Sequence, residues 1–127
     1  MAVIRAADAP RFVLPSAPET TFIGLASPSR GAHETSVWRV SLAPGTPPHP
    51  HALDREEIVV GVGGQAVARI AGSESVVGSG DVLIIPAGER FSLENPYAQP
   101  FEAYAVLPVG GRATLEDGQW FVPPWAA

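Results

Sequence analysis

Residues 44–64, PGTPPHPHALDREEIVVGVGG, contain two of the three histidines of the chain. His49 and His51 are two residues apart, and residues at that spacing in a β-strand point to the same face. Glu56 follows after the short connection ALDR and begins an apolar run that two glycines end. Two imidazoles and one carboxylate form the 2-His-1-carboxylate ligand set of a divalent transition metal. The stretch therefore predicts a metal site on β-strands, with coordination positions open to water or substrate.

Short β-rich runs flank this stretch on both sides. Upstream, SVWRVSLA at residues 36–43 alternates, so that Trp38, Val40 and Leu42 share one face. The predicted strands cover residues 20–26, 36–43, 57–62, 65–70, 75–77, 82–85, 90–94 and 101–107. No segment has an apolar stripe at helical spacing with capping residues. Many short strands between Gly and Pro turns predict an all-β antiparallel barrel or sandwich, and the lack of a Cys…Trp…Cys pattern disfavours an immunoglobulin-type domain.

Length and composition set further bounds. The 127 residues suffice for one domain with a core, and the apolar content of 46% predicts that it folds. A net charge of −5 without a Lys/Arg cluster argues against nucleic-acid binding, and the absence of cysteine excludes disulfides and thiolate chemistry. No apolar run approaches the roughly 20 residues of a membrane span, and the N-terminus lacks a signal-peptide core. We expect a cytoplasmic protein without a membrane partner.

The N-terminal residues differ from the rest. Residues 1–19 contain several prolines and predict an arm with one short strand at residues 3–5, whereas residues 20–127 predict a single barrel domain. The arm and the apolar run Val82–Ile85 both offer packing surface. We therefore expect a homodimer.

Two sets of spaced residues resemble the motifs of the cupin superfamily. The first motif reads Gly, H-x-H, three or four residues, Glu, six residues, Gly. It is matched here by Gly45, His49, His51, Glu56 and Gly63, although the gap from Gly45 to the first histidine is shorter than usual. The second motif is matched by Gly80, Pro86, Gly88 and Asn95, with Phe91 at its histidine position. The resemblance implies an antiparallel double-stranded β-helix, or jelly-roll, barrel.

The resemblance also implies a cofactor. Cupins hold a divalent transition metal (Fe, Mn, Ni, Co or Zn) through two His and one Glu of the first motif and one His of the second. Phe91 cannot ligate, so a metal here would have three protein ligands, His49, His51 and Glu56, and one more exchangeable position. A barrel without metal is the alternative.

The resemblance distinguishes the two adjacent glutamates. Glu56 is expected to be the ligand because it gives the six-residue interval to Gly63. Glu57 is then expected to point outward, toward Arg55 or Arg69.

Other side chains are candidates for a substrate pocket. Phe91 would be either a wall of the pocket or plain core, and both readings stay open. Arg39 and Tyr104 lie within predicted strands and would contact a bound anion if they point inward; the sequence does not fix their direction. His33 is expected to be an exposed loop residue. The aromatic residues of the tail, expected to close the core or pack at a dimer interface, are Trp120, Phe121 and Trp125.

Two functional classes follow from these expectations. The first is a metal-dependent enzyme that acts on a small organic substrate as an oxygenase, cyclase, isomerase or decarboxylase. The second is a metal-free or non-catalytic barrel that binds a small molecule. The sequence offers no clear general base besides the expected ligands, so catalytic residues are not assigned. The fold alone does not choose between the classes.

Overall fold

The computed structural model describes residues 1–114 and 117–127, and their regular structure is almost entirely β. The strands are β1 (Arg11–Leu14), β2 (Ala17–Ala26), β3 (Thr35–Leu42), β4 (Ala52–Leu53), β5 (Glu57–Gly63), β6 (Gln65–Ile70), β7 (Ser73–Gly78), β8 (Val82–Ile85), β9 (Phe91–Glu94), β10 (Phe101–Pro108), β11 (Ala113–Thr114) and β12 (Trp120–Phe121). Three-residue 3₁₀ turns are formed by Ala6–Asp8, Pro28–Arg30 and Pro124–Ala126. The predicted all-β class is confirmed. None of the helical turns in these residues has the length and hydropathy needed to cross a bilayer.

The strands pair antiparallel into three sheets. The largest has the order β1-β2-β3-β10-β5-β8, and the two smaller ones have the orders β7-β6-β9 and β12-β11-β4. Burial alternates along β3 and along β10, so each turns one face to the interior of the barrel. The non-consecutive neighbours in the large sheet are those of a jelly roll, as predicted.

The core is built from the inward faces of these strands. Trp38, Val40 and Leu42 are all buried, which confirms the face predicted for β3. On the neighbouring strand β10 the inward positions include two alanines, Ala103 and Ala105. Small side chains at the centre of a sheet leave room above them, and Ala105 lines the cavity described below.

The beginning of the chain differs from the prediction. The expected strand at residues 3–5 is not formed, and residues 1–10 are largely exposed around a 3₁₀ turn. The first strand is instead β1, which pairs with β2 and packs Phe12 and Leu14 against the core. The alternating apolar residues Phe12 and Leu14 of β1 have a face to bury, whereas Val3 and Ile4 are exposed. The large sheet therefore begins at Arg11 rather than at residue 20.

Main-chain hydrogen bonds outside the regular strands join the two segments that carry the cupin-like motifs. The His51 amide donates to the Phe91 carbonyl at 2.9 Å, and the Phe91 amide donates back to the His51 carbonyl at 2.8 Å. This reciprocal pair is an isolated antiparallel bridge. It fixes the two residues opposite each other.

A second tie lies at Asn95, which is fully buried. Its backbone accepts a hydrogen bond from the Gly45 amide at 2.7 Å and donates one to the Thr46 carbonyl at 2.9 Å. Its side-chain amide donates to the carbonyls of Leu42 and Gln99 at 3.0 and 2.8 Å. Because a buried amide is stable only when it is hydrogen-bonded, this residue holds both motif segments in place.

Candidate functional site

A cavity of about 410 Å³ opens inside the barrel. This volume is typical of sites that bind small molecules. Its wall is mostly apolar, and the large side chains that form it include Phe22, Trp38, Leu53, Phe91, Phe121 and Trp125. The polar side chains that line it are Ser16, Thr20, His49, His51, Glu57 and Asp117. The site is thus a hydrophobic chamber with a few polar groups.

His51 is held in one orientation and one tautomer. Its Nδ1 lies 2.9 Å from the carbonyl oxygen of His49, and since a carbonyl can only accept, Nδ1 carries the hydrogen. Nε2 of the neutral ring therefore keeps its lone pair. Burial lowers the pKa of His51, and the hydrogen bond to the His49 carbonyl only partly opposes that effect. The imidazole is neutral at pH 7 and can accept a proton at Nε2.

Glu57 is the buried carboxyl group of the site. It is the first residue of β5, only 5% exposed, and shares the inward face of that strand with Val59. Its carboxyl group has no hydrogen-bond partner in residues 1–114 and 117–127, and burial raises its pKa to about 8. The group is therefore a neutral carboxylic acid at pH 7. Such a group can donate a hydrogen bond to a molecule in the cavity.

The two adjacent glutamates are placed the opposite way round from the prediction. Glu56 is exposed, and the expectation that Glu57 points outward is wrong. Because β5 pairs with β8 from Glu57 onward and with β10 from Ile58 onward, alternation puts Glu57 and Val59 inside. Arg69, the suggested partner of Glu57, instead pairs with two other carboxylates, those of Glu74 and Glu94.

The glycine interval of the first motif fits Glu57 as well as it fits Glu56, and the structure shows which glycine the turn requires. The interval from Glu57 to Gly64 is also six residues. Gly64 has a positive φ of 68°, and a Cβ there would clash with the carbonyl oxygen of Pro100. Gly64, rather than Gly63, is thus the position at which the β5–β6 turn requires glycine.

His49 lies at the cavity but is oriented toward another group. Residues 47–50 form a proline-containing loop and not a strand, so the two-residue spacing does not align the two histidines as expected. The His49 Nε2 atom lies 3.4 Å from Oε2 of Glu19. Both atoms are buried, and neither makes a hydrogen bond within the described residues.

The residues present do not fit the metal set that the resemblance implied. Within the described ranges, no group of three or more His, Asp or Glu side chains is arranged to hold an ion. His49 faces Glu19 and Glu56 is exposed, so two of the three expected ligands are not directed toward a common ion. No catalytic step through a metal is therefore assigned to His49, His51 and Glu56.

Phe91 is both core and cavity wall. It is 3% exposed, and its ring lies 4.3 Å from that of His51 between centroids, at an angle of 51°. Phe91 thus belongs to the core and also lines the cavity, while a contact with a substrate stays a prediction. The apolar ring covers one side of the His51 imidazole and helps to desolvate it.

Arg39 and Tyr104 lie outside the barrel cavity. They are cross-strand partners on the outer face of the large sheet, where the guanidinium contacts the Tyr104 hydroxyl at 3.2 Å and the Glu102 carboxylate at 3.3 Å. They line a separate outer hollow beside the 3₁₀ turn Ala6–Asp8. The neighbouring residues Trp38 and Ala105 face the cavity, so strand alternation explains the outward direction. His33 is exposed, as expected.

The aromatic tail closes one side of the cavity. Trp125 is buried and stacks on Phe22, with ring centroids 3.6 Å apart and an angle of 2°. Carbonyl groups at and beside Trp125 accept hydrogen bonds from Ser29, Arg30 and Ser36. Core closure, one of the two roles expected for the tail, is thus seen for Trp125.

Comparison with known proteins supports the architecture. Among solved structures, the chain is similar to the polyketide cyclase RemF from Streptomyces resistomycificus (21% identity, TM-score 0.81, 98% of this chain and 88% of that one). It is also similar to a sugar phosphate isomerase from a cupin superfamily from Silicibacter pomeroyi (20%, 0.76, 91% and 82%). A third is a predicted oxalate decarboxylase from Thermotoga maritima (21%, 0.69, 85% and 99%). These identities show a shared fold alone. No curated protein matches the sequence.

The sequence also matches a family model directly. The model is that of the cupin domain, and the match extends over residues 38–107. This range is more than half of the chain and runs from within β3 to within β10. It contains both motif segments and most of the cavity wall. The chain therefore belongs to the cupin family.

Proposed function

We propose that the barrel cavity binds a small, largely apolar organic molecule and that His51 and Glu57 contact its polar atoms. The observation that carries this proposal is the cavity of about 410 Å³, whose mostly apolar wall includes the His51 imidazole and the Glu57 carboxyl group, both of which burial favours in the neutral form. Buried polar groups are costly unless they find partners. Glu57, which lacks one in the described chain, would gain one from a ligand.

The pair supports proton transfer on that molecule. Nε2 of His51 can accept a proton, and the Glu57 carboxyl group can donate one, because burial holds both groups neutral near pH 7. A neutral base and a neutral acid in one cavity suit isomerisation or cyclisation, two of the reaction types that the resemblance implied for a metal-dependent enzyme. The polyketide cyclase among the similar folds is consistent with a ligand of this class. The metal-dependent alternative would need a group of three or more donor side chains, and residues 1–114 and 117–127 contain none.

Binding of 2-naphthol, followed by isothermal titration, tests the cavity. Val59 is 3% exposed and lines the chamber, so Val59→Phe should weaken binding at least tenfold by filling space. Val60 is the next residue of β5 and faces outward, so Val60→Phe is a matched control that should bind like the wild type. Equal affinities of the two variants would contradict the proposed binding site.

Naphthalene, which lacks the hydroxyl group, tests the polar contacts in the same experiment. The wild type should prefer 2-naphthol by roughly fivefold to tenfold, the value of one net hydrogen bond. His51→Phe combined with Glu57→Gln should reduce that preference. An unchanged preference in the double variant would show that the two residues do not contact the ligand.

We further propose that the protein is a cytoplasmic homodimer and that its interface includes the outer face of β8. Val82 and Ile84 are 53% and 63% exposed there, beside the half-buried Ile58 and Val60 on the same face. In the large sheet as described, β8 is the edge strand, and an apolar edge is usually covered.

The dimer is tested by light scattering at micromolar concentration. Ile84→Lys should shift the mass from dimer to monomer, because the interface would then bury an unpaired charge. Val76→Lys is the control, since Val76 is 54% exposed on β7 of a different sheet. A monomeric wild type, or equal masses for all three proteins, would contradict this interface.

A further inference from the structure

We infer that His51, Leu53, Glu57 and Phe91 occupy the four ligand positions of the cupin metal site, so that two of the four positions are apolar. This inference concerns metal binding and is independent of the organic ligand proposed above. It replaces the alignment that used His49, His51 and Glu56. Three observations support it.

The first observation is the register of the motif. Gly64 is the residue that the β5–β6 turn requires, and counting back six residues from it gives Glu57. Three residues separate Glu57 from Leu53, which places the two positions of H-x-H at His51 and Leu53. The interval from Gly45 to the first position of H-x-H becomes two residues longer, which removes the short gap of the alignment that began at His49.

The second observation is that the four residues line the same cavity and that two of them are in direct contact. All of them line the cavity, and Leu53 and Phe91 are each 3% exposed. The main chains of His51 and Phe91 are joined by two hydrogen bonds, and their rings are in contact. The segment that carries the first motif thus faces the position of the missing histidine of the second.

The third observation is the direction of His49 and Glu56, the residues that this register excludes. The imidazole of His49 faces Glu19, and Glu56 is exposed. Leu53 and Phe91 offer no donor atom. One imidazole and one carboxyl group remain, and they are fewer than the three or four protein ligands of typical transition-metal sites.

Two substitutions should therefore create a metal site. Leu53→His combined with Phe91→His places imidazoles at both apolar positions and completes a set of three His and one Glu. Calorimetric titration with Zn²⁺ should show one ion per chain, bound at least 100-fold more tightly than by the wild type. Each single variant should bind Zn²⁺ with an affinity between those of the wild type and the double variant. Co²⁺ should give the visible absorption of a protein-bound ion in the double variant and not in the wild type.

Further substitutions in the double variant distinguish the two registers. His51→Ala and Glu57→Gln should each weaken Zn²⁺ binding at least tenfold, whereas His49→Ala and Glu56→Gln should leave it within twofold. Circular dichroism establishes that each protein is folded, and Phe91→His alone serves if the double variant is not. A folded Phe91→His protein that binds Zn²⁺ no better than the wild type would overturn the inference. Equal losses from His49→Ala and His51→Ala would also overturn it.

Discussion

Glu57→Gln should flatten the dependence of stability on pH between about 6.5 and 8. Burial raises the pKa of Glu57 from 4.5 to about 8, so the folded protein keeps a proton that the unfolded chain releases. The free energy of unfolding should therefore be highest below pH 4.5 with respect to this group and should fall as pH rises toward 8. The free energy of unfolding should fall by about 1.4 kcal/mol per pH unit, and the fall between pH 4.5 and 8 amounts to roughly 5 kcal/mol. Glutamine has no proton to lose.

Urea unfolding at a series of pH values measures this effect. The pKa of His51 is lowered from 6.5 by burial, so His51 removes stability only as pH falls below that value. The range above pH 6.5 therefore isolates Glu57. Glu56→Gln is the matched control, because Glu56 is the adjacent but exposed carboxylate and its variant should keep the wild-type slope. Parallel curves for wild type and Glu57→Gln would contradict the buried acid.

Trp125→Ala should destabilise the fold by about 3–5 kcal/mol, the usual cost of truncating a large buried aromatic side chain. Trp125 stacks on Phe22 and closes the cavity, so its loss removes both a ring contact and a wall. Binding of 2-naphthol should weaken as well. Thermal unfolding followed by circular dichroism gives the stability change.

The other tryptophan of the tail provides the control. Trp120 is 43% exposed, and Trp120→Ala should cost less than about 1 kcal/mol. If both tryptophan variants lost the same stability, Trp125 could not be the residue that closes the core. If Trp125→Ala bound 2-naphthol with the affinity of the wild type, the Trp125 side chain would not contact the bound ligand.

The regular alternation of apolar and polar residues in several segments allowed the architecture to be predicted from the sequence. Trp38, Val40 and Leu42 mark one face of β3 unambiguously, and the glycine and proline turns separate the strands. The beginning of the sheet was missed, because residues 11–19 carry prolines that suggest an arm. Phe12 and Leu14 on β1 were the available signal, since they alternate as a half-buried strand does.

The candidate site was only partly predictable, because neighbouring strand residues point to opposite faces. An error of one residue exchanges Glu56 for Glu57, and local sequence gives both the same weight. Arg39 and Tyr104 were undetermined for the same reason until pairing between β3 and β10 fixed their direction. His49 was misplaced because its segment is a proline-containing loop, to which the two-residue rule of strands does not apply.

The main-chain bridge between His51 and Phe91 fixes where these residues lie without depending on which side chains they carry. Neither side chain takes part in the two hydrogen bonds that set the residues opposite each other. The neighbouring tie is made by Asn95, whose own side chain lies outside the chamber wall. We therefore expect the backbone of the barrel to keep these residue positions in place when their side chains are substituted one at a time. On such a backbone, we expect a few point substitutions to convert a cavity that binds an organic molecule into one that binds a metal ion.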